Sequence, residues 1–194
     1  MAGELIDPRE YAYGPPVAVP RRNAVDWTGQ PGGVRSDYWH KGLPSVVVSR
    51  NHSQFPGIRF FPADGVGSGI ALTECEYTEG IAFPGQSIFE QLPARLQHIK
   101  AGNLVITWPG YEQLKWKETV VFVHRNGSPL SVAHMAAQIA CLWRQFYEDH
   151  HLHFNGDGIR LGPTRVTYHH LRLHQIYSHD GRCWQVEVSY VKPR

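Results

Sequence analysis

A chain of 194 residues, 42% hydrophobic and 12% aromatic, is long enough to bury a core without disulfide or metal staples and too apolar to stay unfolded. The formal charge is +2 and the Lys and Arg residues are scattered, the densest pair being Arg21-Arg22 beside Pro20, so no nucleic-acid footprint is expected. The segment from Met1 to Pro8 has neither a basic nor an apolar signal region, and no apolar run approaches the ~20 residues of a membrane-spanning helix.

The cysteines point the same way. There are three (Cys75, Cys141 and Cys183), without metal-type spacing, which suits reduced, buried thiols in a cytoplasmic protein with no membrane association.

Residues 1–44 carry Gly14-Pro15-Pro16, Pro20, Pro31-Gly32-Gly33 and Pro44 without helical or strand period. They read as an extended arm preceding a single domain over 45–194. Tyr11, Tyr13, Trp27, Tyr38 and Trp39 give the arm aromatic surface suited to packing on the body or on a partner. Three short strands are expected at Ser45–Ser49, Ile58–Phe61 and Ile70–Tyr77, the last two flanking the glycine-rich loop 64–69 as a hairpin. Ser87-Ile88-Phe89-Glu90 fits a capping box, and Ile88, Leu92, Leu96 and Ile99 recur at helical spacing. Pro93 splits that stretch into two short helices or kinks a single one.

The C-terminal block is clearer. Strands are expected over Asn103–Trp108 and Thr119–His124, followed by an Asn126-Gly127-Ser128-Pro129 turn with Ser128 as helix N-cap and Pro129 in the first helical position. Val132, Met135, Ala136, Ile139, Trp143, Phe146 and Tyr147 form one apolar stripe on a helix over 129–149. A hairpin of Leu171–Tyr177 and Arg182–Val191 closes the domain. The expected fold is therefore α+β, a largely antiparallel sheet with one long packed helix in a ββαββ block, behind a Pro/Gly-rich N-terminal arm. Both faces of Leu104–Trp108 and Val120–His124 are apolar, so a second cover is expected, from the N-terminal half or from a second copy in a homo-oligomer.

Twelve histidines are the sharpest compositional anomaly. In His151-Leu152-His153, an extended backbone would put two imidazoles about 7 Å apart, within reach of one metal ion, whereas His170 and His174 would stand roughly 13 Å apart. Neighbouring rings such as His150 and His151 seldom converge, and no thiolate lies near, so no structural metal and no cofactor are expected. The rival is a site of His151 and His153 joined by His169 or His170 after folding. The loop at 65–69 fails the dinucleotide fingerprint because a strand follows it, and fails the hydrolase elbow because Val66 and Ile70 replace the glycines around Ser68. Asn155-Gly156-Asp157-Gly158 lacks the spaced acids of a calcium loop and reads as a turn.

Ile106-Thr107-Trp108-Pro109-Gly110-Tyr111 is the most distinctive string. Pro109 ends ladder donation and Gly110 permits the turn, leaving Trp108 and Tyr111 either to frame a ligand pocket or to lid the core. This string, with the strand, the Asn-Gly-Ser-Pro turn and the amphipathic helix after it, resembles a family of uncharacterised proteins of mushroom-forming fungi over residues 103–191. The resemblance implies a soluble fungal domain of unknown activity and supplies no site residue.

Three functions fit these features. The first is a non-enzymatic binding or protein-interaction module, favoured by many aromatics in turns and the lack of a nucleophile–base motif. The second is a small enzyme or small-molecule binder with a pocket between helix and sheet, using His124 and His134 as acid or base. The third is a cytoplasmic carbohydrate-binding defence protein, suggested by Trp and Tyr in loops. A cavity holding two polar side chains would favour the enzyme; an exposed aromatic patch would favour the binder.

Overall fold

Apolar alternation in the last two strands builds the centre of the sheet. In a computed structural model of the chain, residues 45–47, 55–65 and 69–192 are described. The expected arm over 1–44 lies outside the described residues, and every element below falls within Lys41–Arg194. Strands β1 (Ser45–Val47), β2 (Gly57–Arg59), β3 (Ile70–Ala71), β4 (Ala101–Val105), β5 (Lys117–Val121), β6 (Leu171–Ser178) and β7 (Cys183–Val191) form one sheet, with helices α1 (Leu72–Cys75) and α2 (Val132–His150). The main path runs β2-β6-β7-β4-β5, with β1 on β7 and β3 on β6.

The fold is α+β, with one amendment to the expected sheet: β4 runs parallel to β7, pairing Leu104 with Trp184, so the sheet is mixed. The other pairings are antiparallel. A bulge at His174, between Leu173 and Gln175, shifts the β6–β7 register, and the His174 carbonyl is taken by the Phe60 N–H at 2.8 Å.

The N-terminal strands also differ from expectation. β2 and β3 are not a hairpin; both pair with β6, at Gln175–Tyr177 and at Arg172–Leu173. The chain leaves β6 after Arg59 and returns to it at Ile70. The strand expected through Tyr77 ends at Ala71, opposite Arg172 and one residue short of the end of β6, because Leu72 and Cys75 bury themselves in α1 instead. Two short 3-10 helices, Ile88–Gln91 and Ala94–Leu96, lie on either side of Pro93. No reciprocal capping box forms: Ser87 Oγ accepts from the Phe89 N–H, and the Glu90 carboxylate takes the Gln86 amide at 3.0 Å.

Helix α2 starts three residues later than expected. Asn126 Oδ1 accepts from both the Ser128 N–H and its hydroxyl, Ser128 O accepts from the His124 N–H, and the Leu130 N–H reaches Phe122 O. These bonds commit 128–130 to a continuation of the β5 ladder, so Ser131 becomes the N-cap and accepts from the His134 N–H at 3.3 Å. The anticipated stripe of Val132, Met135, Ala136, Ile139, Trp143, Phe146 and Tyr147 is buried. It meets Trp108, whose ring stands edge-on to Trp143 at 5.6 Å, and Trp116, edge-on to Phe146 at 5.8 Å. Gln138 secures the edge strand: its amide accepts from the Val121 N–H and donates to Val121 O, closing part of an open sheet edge.

The second cover expected from the N-terminal half or a second copy lies outside the described residues; the described part of the opposite face is mostly polar. It presents Gln175 bonded to Glu187 at 2.6 Å, Tyr177 bonded to Gln185 at 2.7 Å, exposed Lys117 and Thr119, and half-buried Val105 and Val121. Polar cross-strand pairs such as these stabilise the sheet on this face, where Phe55 stacks on the buried Tyr177 ring. The thiols also divide: Cys75 is buried, whereas Cys141 and Cys183 are exposed, against the expectation of three buried cysteines. Burial, with Glu74 beside it, pushes the Cys75 thiol up to about 12, which makes it a poor nucleophile.

Candidate functional site

The residues singled out in the sequence go to two opposite ends of α2. At the C-terminal end, the loop after the helix closes over the Trp108–Tyr111 string. The Trp108 indole N–H donates to Ile159 O at 2.6 Å, Tyr111 Oη donates to His151 O at 2.9 Å, and the Leu161 N–H donates to Tyr111 Oη at 3.1 Å. Backbone bonds from Asn155 to Gly110 and from Ile159 to Pro109 complete the clasp. A Cβ on Gly110, held at φ +90°, would lie 2.4 Å from the Phe154 ring, and one on Gly158 would lie 2.5 Å from the Pro109 carbonyl carbon. Both glycines are therefore required by close approach. Trp108 and Tyr111 sit in the core with their polar atoms engaged.

The histidines do not converge into a larger cluster. His151 stacks on Tyr147 with its Nδ1 3.0 Å from Tyr147 O, and His170 Nδ1 accepts from the Thr167 N–H in a capping box. The rings that meet are His150 and His153, with Nδ1 atoms 3.4 Å apart. Among the described residues no group of three His, Cys, Asp or Glu side chains is placed to hold a metal ion.

His174 Nε2 bonds Ser189 Oγ at 2.7 Å, and burial, partly opposed by Glu187, lowers its pKa; His170 is lowered by burial, with Arg172 and His169 adding to it. A folded-state pKa below the unfolded value near 6.5 means that the unfolded chain binds protons first. The stability these rings support is complete above about pH 6.5 and declines as the pH falls below it. A urea midpoint lower at pH 5 than at pH 7.5, with a smaller drop in His174→Gln, is the expected result; equal midpoints would refute it.

At the N-terminal end of α2, His124 and His134 do come together, ring centroids 5.3 Å apart and edge-to-face, with Ser131 Oγ 2.8 Å from His134 Nδ1. The free amides of the first helical turn are already used. Val132 N–H donates to Gln86 O, Ala133 N–H to Pro84 O, and Met135 N–H to Ser131 O. No amide of that turn remains to hold an anion or a developing oxyanion.

The segment that supplies those carbonyls forms an open groove of about 530 Å³, lined by Phe83, Pro84, Gly85, Gln86 and Glu90. Phe83 is 73% exposed and lies in the left-handed region at φ +52°, and Tyr77 beside strained Thr78 (φ +60°) is 70% exposed. Phe61, 52% exposed, belongs to the same paired segment through the Ala82 N–H to Phe61 O bond. A bulky residue in left-handed backbone costs of order 1–3 kcal/mol and persists where its surroundings over-determine it. Here the Gln86 N–H to Phe83 O turn and the Ala133 N–H to Pro84 O bond do so.

Charge distinguishes this region. Between residues 60 and 94 there is no Lys, Arg or His, while Asp64, Glu74, Glu76, Glu79 and Glu90 all fall there. Glu76 is consumed by a bidentate pair with Arg144 and by the Tyr168 hydroxyl, tying α1 to α2. Phe83 lies outside the histidines and the 103–191 block; its signal in the sequence is an aromatic-Pro-Gly turn inside a stretch without cations. Searches for similarity find no matching family model, curated protein or solved structure. Among the described residues no helix is long and apolar enough to cross a membrane.

Proposed function

We propose that the chain is a non-enzymatic binding module whose groove at the N-terminal end of α2 takes a protein segment bearing an apolar anchor flanked by Lys or Arg. Phe83 carries the reading: a large aromatic side chain is held out in solvent on strained backbone, at the rim of an apolar groove. Strain of that kind gathers at ligand clamps, because folding alone gives no reason to retain it. Glu90 in the groove lining, within a stretch of sequence that has no Lys, Arg or His, sets the sign of the partner, since complementary charge steers encounter and suppresses wrong partners.

The test is selection of binders from a random peptide library on the full chain, followed by titration of the winners against Phe83→Gly. Selected peptides are expected to pair an aromatic or aliphatic residue with Lys or Arg. Loss of an aromatic anchor worth ~2 kcal/mol weakens binding about thirty-fold. Glycine relieves the left-handed strain, so the variant should melt no lower than the parent. Equal peptide affinity in Phe83→Gly, or no enrichment of basic peptides, would end the proposal.

The enzyme reading has one observation in its favour, the Ser131–His134 contact with His124 alongside. It lacks an oxyanion donor from the adjoining helix turn, and Ser131 already serves as N-cap. Hydrolysis of an activated ester that vanishes in Ser131→Ala would favour this alternative over the binding module.

A further inference from the structure

We infer that His150 and His153, at the C-terminal end of α2, form an exchangeable two-imidazole site for a divalent transition cation such as Zn²⁺, Ni²⁺ or Cu²⁺. Their Nδ1 atoms face one another at 3.4 Å, longer than the ~3.0 Å of a well-formed N–H hydrogen bond. An ion bonded about 2.1 Å from each nitrogen would see an N–metal–N angle of roughly 110°, close to the tetrahedral value. The spacing admits a long hydrogen bond between the rings and, once an ion displaces that proton, a chelate.

Three independent features prepare the pair. The backbone fixes it: His153 N–H donates to His150 O at 2.8 Å, and Gln113 Nε2 donates to His153 O at 3.0 Å. The Phe146 ring, 5.5 Å from that of His150, supports the first imidazole. His150 is the last residue of a 19-residue helix, whose C-terminal carbonyls carry partial negative charge that favours a cation there.

With two protein ligands, water completes the coordination, so the ion is exchangeable and the fold does not depend on it. Histidine nitrogens suit Zn²⁺, Cu²⁺ and Ni²⁺ and offer little to Mg²⁺ or Ca²⁺, which require oxygen. The location gives occupancy a consequence. His150 ends α2 and His153 lies within the loop that clasps Trp108 and Tyr111, so a bridging ion joins helix to clasp and stabilises the folded chain by mass action.

The experiment is calorimetric titration of untagged, full-length protein with Zn²⁺, Ni²⁺ and Cu²⁺ separately, and with Mg²⁺. His150→Ala, His153→Gln and, as control, exposed His98→Ala are measured alongside, each with a melting curve with and without metal. The expected result is one ion per chain for the transition metals and none for Mg²⁺, affinity at least tenfold weaker in either site variant, and unchanged in the control. The metal-induced rise in Tm should vanish with the site variants, while their metal-free Tm stays close to that of the parent. No saturable binding by the parent, or equal binding in both site variants, overturns the proposal.

Discussion

Trp108→Ala is expected to destabilise the protein by about 3–5 kcal/mol, the range for removing a large buried aromatic side chain. Trp108 is 1% exposed and packs edge-on against Trp143, with Tyr190 on another side. Its indole N–H is also the donor that holds Ile159 O, so truncation leaves that carbonyl without its partner and loosens the loop that follows α2. Denaturant unfolding with the slope held common measures it. A cost below 1 kcal/mol would mean that Trp108 is not a core residue and would reopen the ligand-framing role that its place in the sequence suggested. Trp143 provides an internal contrast: its buried indole nitrogen has no hydrogen-bond partner among the described residues, so Trp143→Phe lacks the penalty of an orphaned carbonyl.

The second large effect is expected at Ile139→Ala, about 2–5 kcal/mol, the span depending on how far the surroundings collapse into the space. Ile139 is fully buried at the centre of the α2 stripe, between the turns that carry Met135 and Trp143. A loss below about 0.5 kcal/mol, as at an ordinary surface position, would contradict the packing of α2 on the sheet. The two variants address different parts of the fold. Ile139 tests the helix–sheet contact, and Trp108 tests that contact together with the clasp.

The groove and the His150–His153 pair occupy opposite ends of α2, so a variant at one leaves the other intact. Phe83→Gly leaves His150 and His153 in place, and the histidine variants leave the groove in place. Retention of metal binding by Phe83→Gly would show that the two ends act independently.

Much of the C-terminal fold was legible in the sequence because its signals are local. The α2 stripe follows from 3.6-residue periodicity, the β6–β7 hairpin from apolar runs around Ser178-His179-Asp180-Gly181, and the break at Pro93 from ring geometry. His124 and His134, the acid or base candidates of the sequence, lie with ring centroids 5.3 Å apart, a proximity that no local pattern encodes. Other features depend on partners far along the chain. The start of α2 moved from Ser128 to Ser131 because Phe122 and His124 claimed the intervening backbone groups, and local capping preference does not encode that competition.

The strand expected to reach Tyr77 stopped at Ala71 because Leu72 and Cys75 bury themselves in α1 and β6 ends at Leu171, and strand propensity carries no information about a neighbour's length. The same reason governs the sites. Apolar pattern by itself determined that residues 103–191 build a helix on a sheet. Tertiary structure alone decided that His150 faces His153 rather than His151 facing His153, that Trp108 and Tyr111 spend their polar atoms on the loop 151–161, and that strained Phe83 stands exposed above a groove. Each depends on where the backbone turns between residues, and turns are set by the long-range hydrogen bonds that close them.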